Sequence, residues 1–115
     1  RKIRLKFDFI VRQVGDNVEG VKKVTLEGKE GLVYMDDPVK LFSLDPGESV
    51  QLLINEGEEG FFSASYLPVY AKDVGNGKSY LYSAYGLLIR FDGNFTLPNE
   101  TIKVTLIRGT AAKRG

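Results

Sequence analysis

From residue 3 to residue 11 every odd position is apolar (Ile3, Leu5, Phe7, Phe9 and Val11), while Lys2, Arg4, Lys6, Asp8 and Arg12 take even ones. A period of two is the mark of a β-strand with one dry face and one wet face, so the chain opens on a strand whose outer side is basic. Gly15-Asp16-Asn17 reads as a turn. A second strand over residues 18–27 follows, with Val24 and Leu26 inward and Thr25 and Glu27 outward, which makes a long hairpin. Gly28 to Gly31 is turn chemistry. The short strand Leu32-Val33-Tyr34-Met35 is predicted to stop at Asp37-Pro38, because proline has no N–H for the ladder. Residues 39–44 resume as extended chain, and Asp45-Pro46-Gly47 reads as a tight turn, with proline presetting φ and glycine taking a positive φ. Val50, Leu52 and Ile54 give the inner face of a fifth strand. In FFSASYLPVY, residues 61–70, Pro68 marks an edge or a bulge, and Asn76-Gly77 suits a type I′ hairpin turn. Ile102, Val104 and Leu106 line the last strand.

The segment YLYSAYGLLIRFDGN, residues 80–94, breaks the simple alternation. Read as one strand, it puts Leu81, Tyr85, Leu87, Ile89 and Phe91 on one side and Tyr80, Tyr82, Leu88 and Arg90 on the other. The first set is predicted to face the core, which leaves the tyrosines outside and in need of cover. A bulge at Gly86 would swap the faces on one side of it and bring Tyr85 outward beside Leu88.

About eight strands, turn signals every ten or so residues and no helical periodicity predict an all-β barrel or sandwich, and the long first strand, internal glycines such as Gly20 and Gly86 and the small size favour a single small closed antiparallel barrel. At 115 residues the chain has room for one core. Residues 1–109 are assigned to the barrel and 110–115 to a flexible basic tail. Ile3, Leu5, Phe7, Phe9, Val24, Leu26, Val50, Leu52, Ile54, Leu87, Ile89, Phe91, Ile102, Val104 and Leu106 are the predicted core. No repeat of fixed period is visible.

Composition narrows the chemistry. There is no cysteine and no histidine, which removes thiol nucleophiles, imidazole bases, structural zinc and disulfides together. A non-catalytic protein without cofactor or metal is expected, and its lack of disulfides fits a reducing cytoplasm. No apolar run is long enough to span a membrane. The chain opens on Arg1 and not on methionine, so further residues are expected ahead of it. The formal net charge is +1, so a grip on nucleic acid would need a local patch.

The basic strand residues Lys2, Arg4, Lys6 and Arg12 are the candidate patch, with Lys22, Lys23 and Arg108 nearby and Tyr34, Tyr66, Tyr70, Tyr80 and Tyr82 as rings on which bases could stack. Polar cover for an edge strand explains the same charges. Gly75-Asn76-Gly77-Lys78-Ser79 mimics the end of a phosphate loop, but Lys72 stands where the first glycine belongs and a strand follows where a helix is needed. Asp36 and Asp37 are adjacent on extended chain, so they point apart and cannot work as an acid–base pair; a strand-ending turn explains them. Glu56, Glu58 and Glu59 lack calcium-loop spacing and read as a solvated loop. The two N-x-[ST] matches at Asn94 and Asn99 are loop residues.

SAYGLLIRFDGN, residues 83–94, resembles the signature strand of the small barrel subunit that the eukaryotic nuclear RNA polymerases share and that archaeal RNA polymerases also carry. The family pattern is Ser-Tyr-Gly-Gly-Leu-Leu-Met-Arg-Leu, one residue, then Gly. Leu87, Leu88, Arg90 and Gly93 match, Ile89 and Phe91 exchange one apolar residue for another, Gly86 matches the second glycine, and Tyr85 departs from the first. LFSLDPGESVQLLI, residues 41–54, resembles a second family stretch through the turn residues Asp45, Gly47 and Glu48. The loop at residues 55–60 is short, as in the archaeal form. The resemblance implies an eight-stranded antiparallel barrel related to oligonucleotide-binding folds and arranged as two similar halves. It also implies a non-catalytic role in a DNA-directed RNA polymerase, a nucleotidyltransferase complex of transcription, with the largest subunit and its neighbours as partners. It places Tyr80, Tyr82, Tyr85, Gly86, Leu88 and Arg90 at the protein interface, with at most weak or indirect contact to nucleic acid, no membrane and no small-molecule substrate. A free-standing single-strand-binding barrel is the alternative.

Overall fold

The computed structural model describes residues 2–57 and 60–109. Eight strands, β1 (Leu5–Val14), β2 (Val21–Gly28), β3 (Gly31–Pro38), β4 (Ser49–Ile54), β5 (Phe62–Val74), β6 (Gly77–Ala84), β7 (Leu87–Gly93) and β8 (Ile102–Arg108), close into an antiparallel barrel. Around the barrel they run β1-β2-β3-β7-β6-β5-β8-β4 and back to β1. The expected fold class is the observed one. Glu58, Glu59 and the tail at 110–115 lie outside the described residues.

That order is two copies of one four-strand unit. β4-β1-β2-β3 and β8-β5-β6-β7 are each Greek keys, with the last strand returning beside the first, and they join at the β3–β7 and β4–β8 seams. The correspondence holds residue by residue. Ile10–Glu27, Val11–Leu26, Gln13–Thr25 and Val14–Val24 in the first unit answer to Leu67–Ser83, Pro68–Tyr82, Tyr70–Leu81 and Ala71–Tyr80 in the second. Each unit carries a bulge at the eighth residue of its first strand, Arg12 in β1 and Val69 in β5. Pro68 thus sits beside a bulge, where its missing N–H is tolerated.

A loop closes each end of the barrel. Residues 39–48 pack Phe42 and Leu44 into one end, with the Phe42 ring 4.7 Å from that of Phe62. Residues 94–101 bring Phe95 and Leu97 into the other, the Phe95 ring 5.3 Å from Phe7 and 5.5 Å from Phe91. The Asp45–Glu48 turn is held as predicted: Glu48 N donates to Asp45 O, Gly47 has φ 89°, and the turn docks on β1 through Gly47 N to Val11 O and Val11 N to Glu48 O. Where β3 meets β7, Gly31 pairs with Gly93; a Cβ on Gly93 would lie 2.4 Å from the Glu30 carbonyl oxygen, so only glycine lets the strands cross there.

Five expectations are corrected. Residues 39–44 form a loop, and residues 80–94 form two strands, so the expected number of strands stands with different members. Ile3 is 49% exposed, because β1 begins at Leu5 and nothing beyond the rim covers the residue two places earlier; Leu5 and Leu87 are half-buried. The β5–β6 loop is Gly75-Asn76, with positive φ at Gly75 alone, a type II′ turn and not the I′ turn expected of Asn76-Gly77. Finally, β3 continues through Asp36 and Asp37 to Pro38, both carboxylates being buried.

Candidate functional site

Tyr85 and Gly86 divide the motif segment. Their φ values of 51° and 84° are those of a type I′ turn, the two-residue connection whose twist suits a β-hairpin. The turn restarts the alternation, which is why the single-strand reading places the tyrosines on the wrong side. Tyr80 and Tyr82 point into the barrel and are buried. Tyr82 donates its hydroxyl to the Pro98 carbonyl at 2.7 Å and Tyr80 to that of Phe95 at 3.4 Å, so both anchor the 94–101 cap. Burial, and after it the neighbouring Tyr80, pushes the Tyr82 hydroxyl well above the usual tyrosine range. The expected outward facing of both is corrected: the chain's own loop covers them, and neither side chain is exposed on the barrel surface. Tyr66 is also fully buried, its hydroxyl pushed up to about 12 by burial and then by Asp36, so it offers no stacking ring.

The other motif residues are on the outside. Tyr85 is 97% exposed and Leu88 38%. The ladder sets Leu88 in a row with Ser83 and Leu67 across β7, β6 and β5, and Arg90 in the next row with Leu81 and Tyr70, about 7 Å along the strands. Arg90 lies over the Tyr34 ring of β3, 4.5 Å from its centre, and donates Nε–H to Asp92 at 3.0 Å. Asp92 accepts from Ser79 at 2.6 Å, Ser79 lies 3.4 Å from the Tyr70 hydroxyl, and Lys72 sits 4.8 Å over the Tyr70 ring. Arg90 therefore stands between two clefts, one of about 440 Å³ shared with Tyr70, Lys72, Lys78 and Asp92, the other of about 280 Å³ shared with Lys23, Tyr34, Asp36, Leu81 and Leu88. Sequence reasoning finds Arg90 and Leu88 but misses Leu67, Val69 and Leu81: the β5 bulge hides the facing of Val69, and the unrecognised Tyr85–Gly86 turn inverts that of Leu81.

Asp36 closes the β3–β7 seam beyond its last backbone pair, Met35–Ile89. One carboxylate oxygen accepts from the Leu88 backbone N–H at 2.9 Å and the other from Lys23 at 2.7 Å. Asp37, 1% exposed, has an oxygen without a partner among the described residues; burial pushes it up to about 6 against the pull of Lys22. The two point apart, as adjacent strand residues must.

The basic residues fall elsewhere. Lys2, Arg4, Lys6 and Arg12 are exposed on β1 and just before it, and Arg12 is paired with Glu27. β1 is four strands from β6 in either direction, so this face lies across the barrel from Tyr85. A single strand of nucleic acid tracking over the basic residues would not meet the exposed ring, while the rings of Tyr34 and Tyr70 already carry Arg90 and Lys72. Among the described residues no helix is long and apolar enough to cross a membrane, and no group of three acidic side chains is placed to hold a metal. No family model matches the chain. No curated protein matches it either.

Proposed function

We propose that the chain is a non-catalytic assembly subunit of an archaeal DNA-directed RNA polymerase, a cytoplasmic protein that packs on the largest subunit and steadies its neighbours. The observation that carries the reading is a coincidence of two independent features. The motif at residues 83–94 resembles the signature of that subunit family, whose barrel has two similar halves; this chain's eight strands are two Greek keys in register. The motif glycines have structural work in such a barrel, Gly86 in the hairpin turn and Gly93 in the seam. Leu88 and Arg90 are left on the surface, where a partner could use them. The single-strand-binding alternative gains little from a basic strand that faces away from the exposed aromatic.

A tagged copy expressed in an archaeal host and purified at cytosolic salt is expected to bring the largest polymerase subunit with it. Purification of the tagged chain with no polymerase subunit would overturn the reading. Tight single-stranded DNA binding that persists at that salt would favour the alternative, since a grip built on phosphates weakens steeply as salt is added.

A further inference from the structure

The two halves provide an internal control for what the fold itself demands of a surface. Where the first half has Arg12, Gln13, Thr25 and Lys29 facing out, the second has Val69, Tyr70, Leu81 and Tyr85 at the same places in the ladder and turns. The same backbone supports charged and polar residues at these positions, so barrel stability does not call for apolar ones. The exposed apolar residues of the first half, Ile3, Ile10, Val18 and Leu41, are scattered over β1, the residues ahead of it and two connecting loops. Those of the second, apart from Val74 at the far end of β5, gather around the β6–β7 hairpin, and contiguous exposed apolar surface is what protein interfaces use. Tyr85 adds a further sign: a fully exposed ring held at positive φ, a conformation that costs an L-residue energy and that asparagine or glycine would take at less cost.

We infer that the outer face of β5, β6 and β7 is the surface that docks on the protein partner, and that the partner brings an apolar surface for Val69, Tyr85 and Leu88 and a carboxylate for the cleft between Arg90 and Lys72. The inference rests on the assembly-subunit reading and adds the site and its chemistry. The carboxylate follows from charge. Both cations lie on tyrosine rings that fix them in place, Arg90 spends only its Nε–H on Asp92, and Lys72 has no acidic partner among the described residues. An arginine held this way presents its remaining donors in a geometry that suits a carboxylate. A nucleic acid is the poorer occupant, because the two rings beside the cleft are already covered.

The test borrows from the first half. Val69→Arg installs the residue that the corresponding bulge carries, and Tyr85→Asn suits the type I′ turn, so the doubly changed barrel should melt at or within about 4 °C of the parent. Tagged parent, V69R/Y85N and R90Q/K72Q chains are expressed in the archaeal host and the co-purified largest subunit is quantified. V69R/Y85N is expected to recover at least about tenfold less, as loss of anchor residues does, and R90Q/K72Q severalfold less, with the deficit growing smaller at high salt as screening removes the parent's advantage. If the parent recovers the largest subunit and both variants recover it equally well, the docking face is elsewhere and this inference fails while the assembly-subunit reading stands. If the parent recovers no polymerase subunit, that reading fails and takes the inference with it. If a photoreactive phenylalanine at position 85 links only to a second copy of the chain, the face is a self-association surface and the inference is overturned.

Discussion

The two Greek-key units solve the same folding problem with different residues. Their caps are built alike: Phe42-Ser43-Leu44 closes one end of the barrel and Phe95-Thr96-Leu97 the other, with the aromatic and the leucine of each buried. Their bulged strands and hairpins coincide in register. Their outer surfaces do not: around the first hairpin the corresponding positions are charged or polar, with Arg12 paired to Glu27, and around the second they are apolar beside a strained, exposed tyrosine. What the halves share belongs to the barrel, and what separates them is free for other uses.

The largest effect expected from this comparison is in the caps. Phe42→Ala and Phe95→Ala each remove a buried ring that packs on at least one other ring, and such truncations cost about 3–5 kcal/mol. If the caps are equivalent, urea unfolding should show similar losses for the two variants. A loss at one position only would mean that one end of the barrel is closed by something other than its phenylalanine, and the two-unit description would fail as a description of energetics.

Much of this architecture is legible in the sequence. The alternation at β1, from Phe7 to Val11, and the apolar triplets Val50-Leu52-Ile54 and Ile102-Val104-Leu106 each give an inner face that is buried as read. The Tyr80 to Asn94 stretch misleads because its turn is written Tyr-Gly, which carries no strong turn signal; the positive φ at Tyr85 is imposed by hairpin geometry and not by residue preference. Once a strand of that length is assumed, its parity places Tyr80 and Tyr82 outside. The repeat is hidden because it survives only as F-[ST]-L beside proline at 42–46 and 95–98, while the strands between have diverged. Of the candidate surface, Leu88 and Arg90 are visible through the motif. Val69 is not, since a bulge changes which side chains share a face and leaves little trace in sequence, and Leu81 is read inward for the same reason as the tyrosines are read outward.

A smaller effect concerns the seam. Asp37 of β3 occupies the place that Gly93 holds in β7, and it is buried with one oxygen unpartnered among the described residues. Burial raises its folded-state pKa from 3.8 to about 6 despite the opposing pull of Lys22, so the native state keeps the proton longer than the unfolded chain does. Where the native state binds more protons, stability falls as pH rises. The group costs nothing below about pH 4, its cost grows between about pH 4 and 6, and it is complete above that, with a ceiling of about 3 kcal/mol for such a shift. Asp37→Asn should therefore raise stability at pH 7.5 by about 2 kcal/mol, allowing for the amide's own unmet hydrogen bonds, and change it little at pH 4. Urea unfolding of both proteins at the two pH values measures this. An equal effect at both, or a loss at pH 7.5, would mean that Asp37 is ionised and paired in the folded barrel.

The smallest effect separates the two hairpin turns. Lys29-Glu30 joins β2 to β3 and Tyr85-Gly86 joins β6 to β7, each as a two-residue loop between paired strand ends, Gly28–Gly31 and Ala84–Leu87. Only the second has positive φ at both of its residues. Asparagine tolerates that region far better than tyrosine because its short polar side chain can bond locally to the backbone. Tyr85→Asn should therefore stabilise the isolated barrel by roughly 0.5–1 kcal/mol, since the ring it removes is solvated and contributes almost no burial. Lys29→Asn, at a place where φ is not positive, should gain nothing by this route. Thermal melts of the two single variants beside the parent decide the matter. If both gain alike, general turn preference is at work and Tyr85 stores no strain; if only Tyr85→Asn gains, the chain keeps a costly residue at the tip of its most apolar hairpin, and the reason has to be sought in what that ring touches outside the barrel.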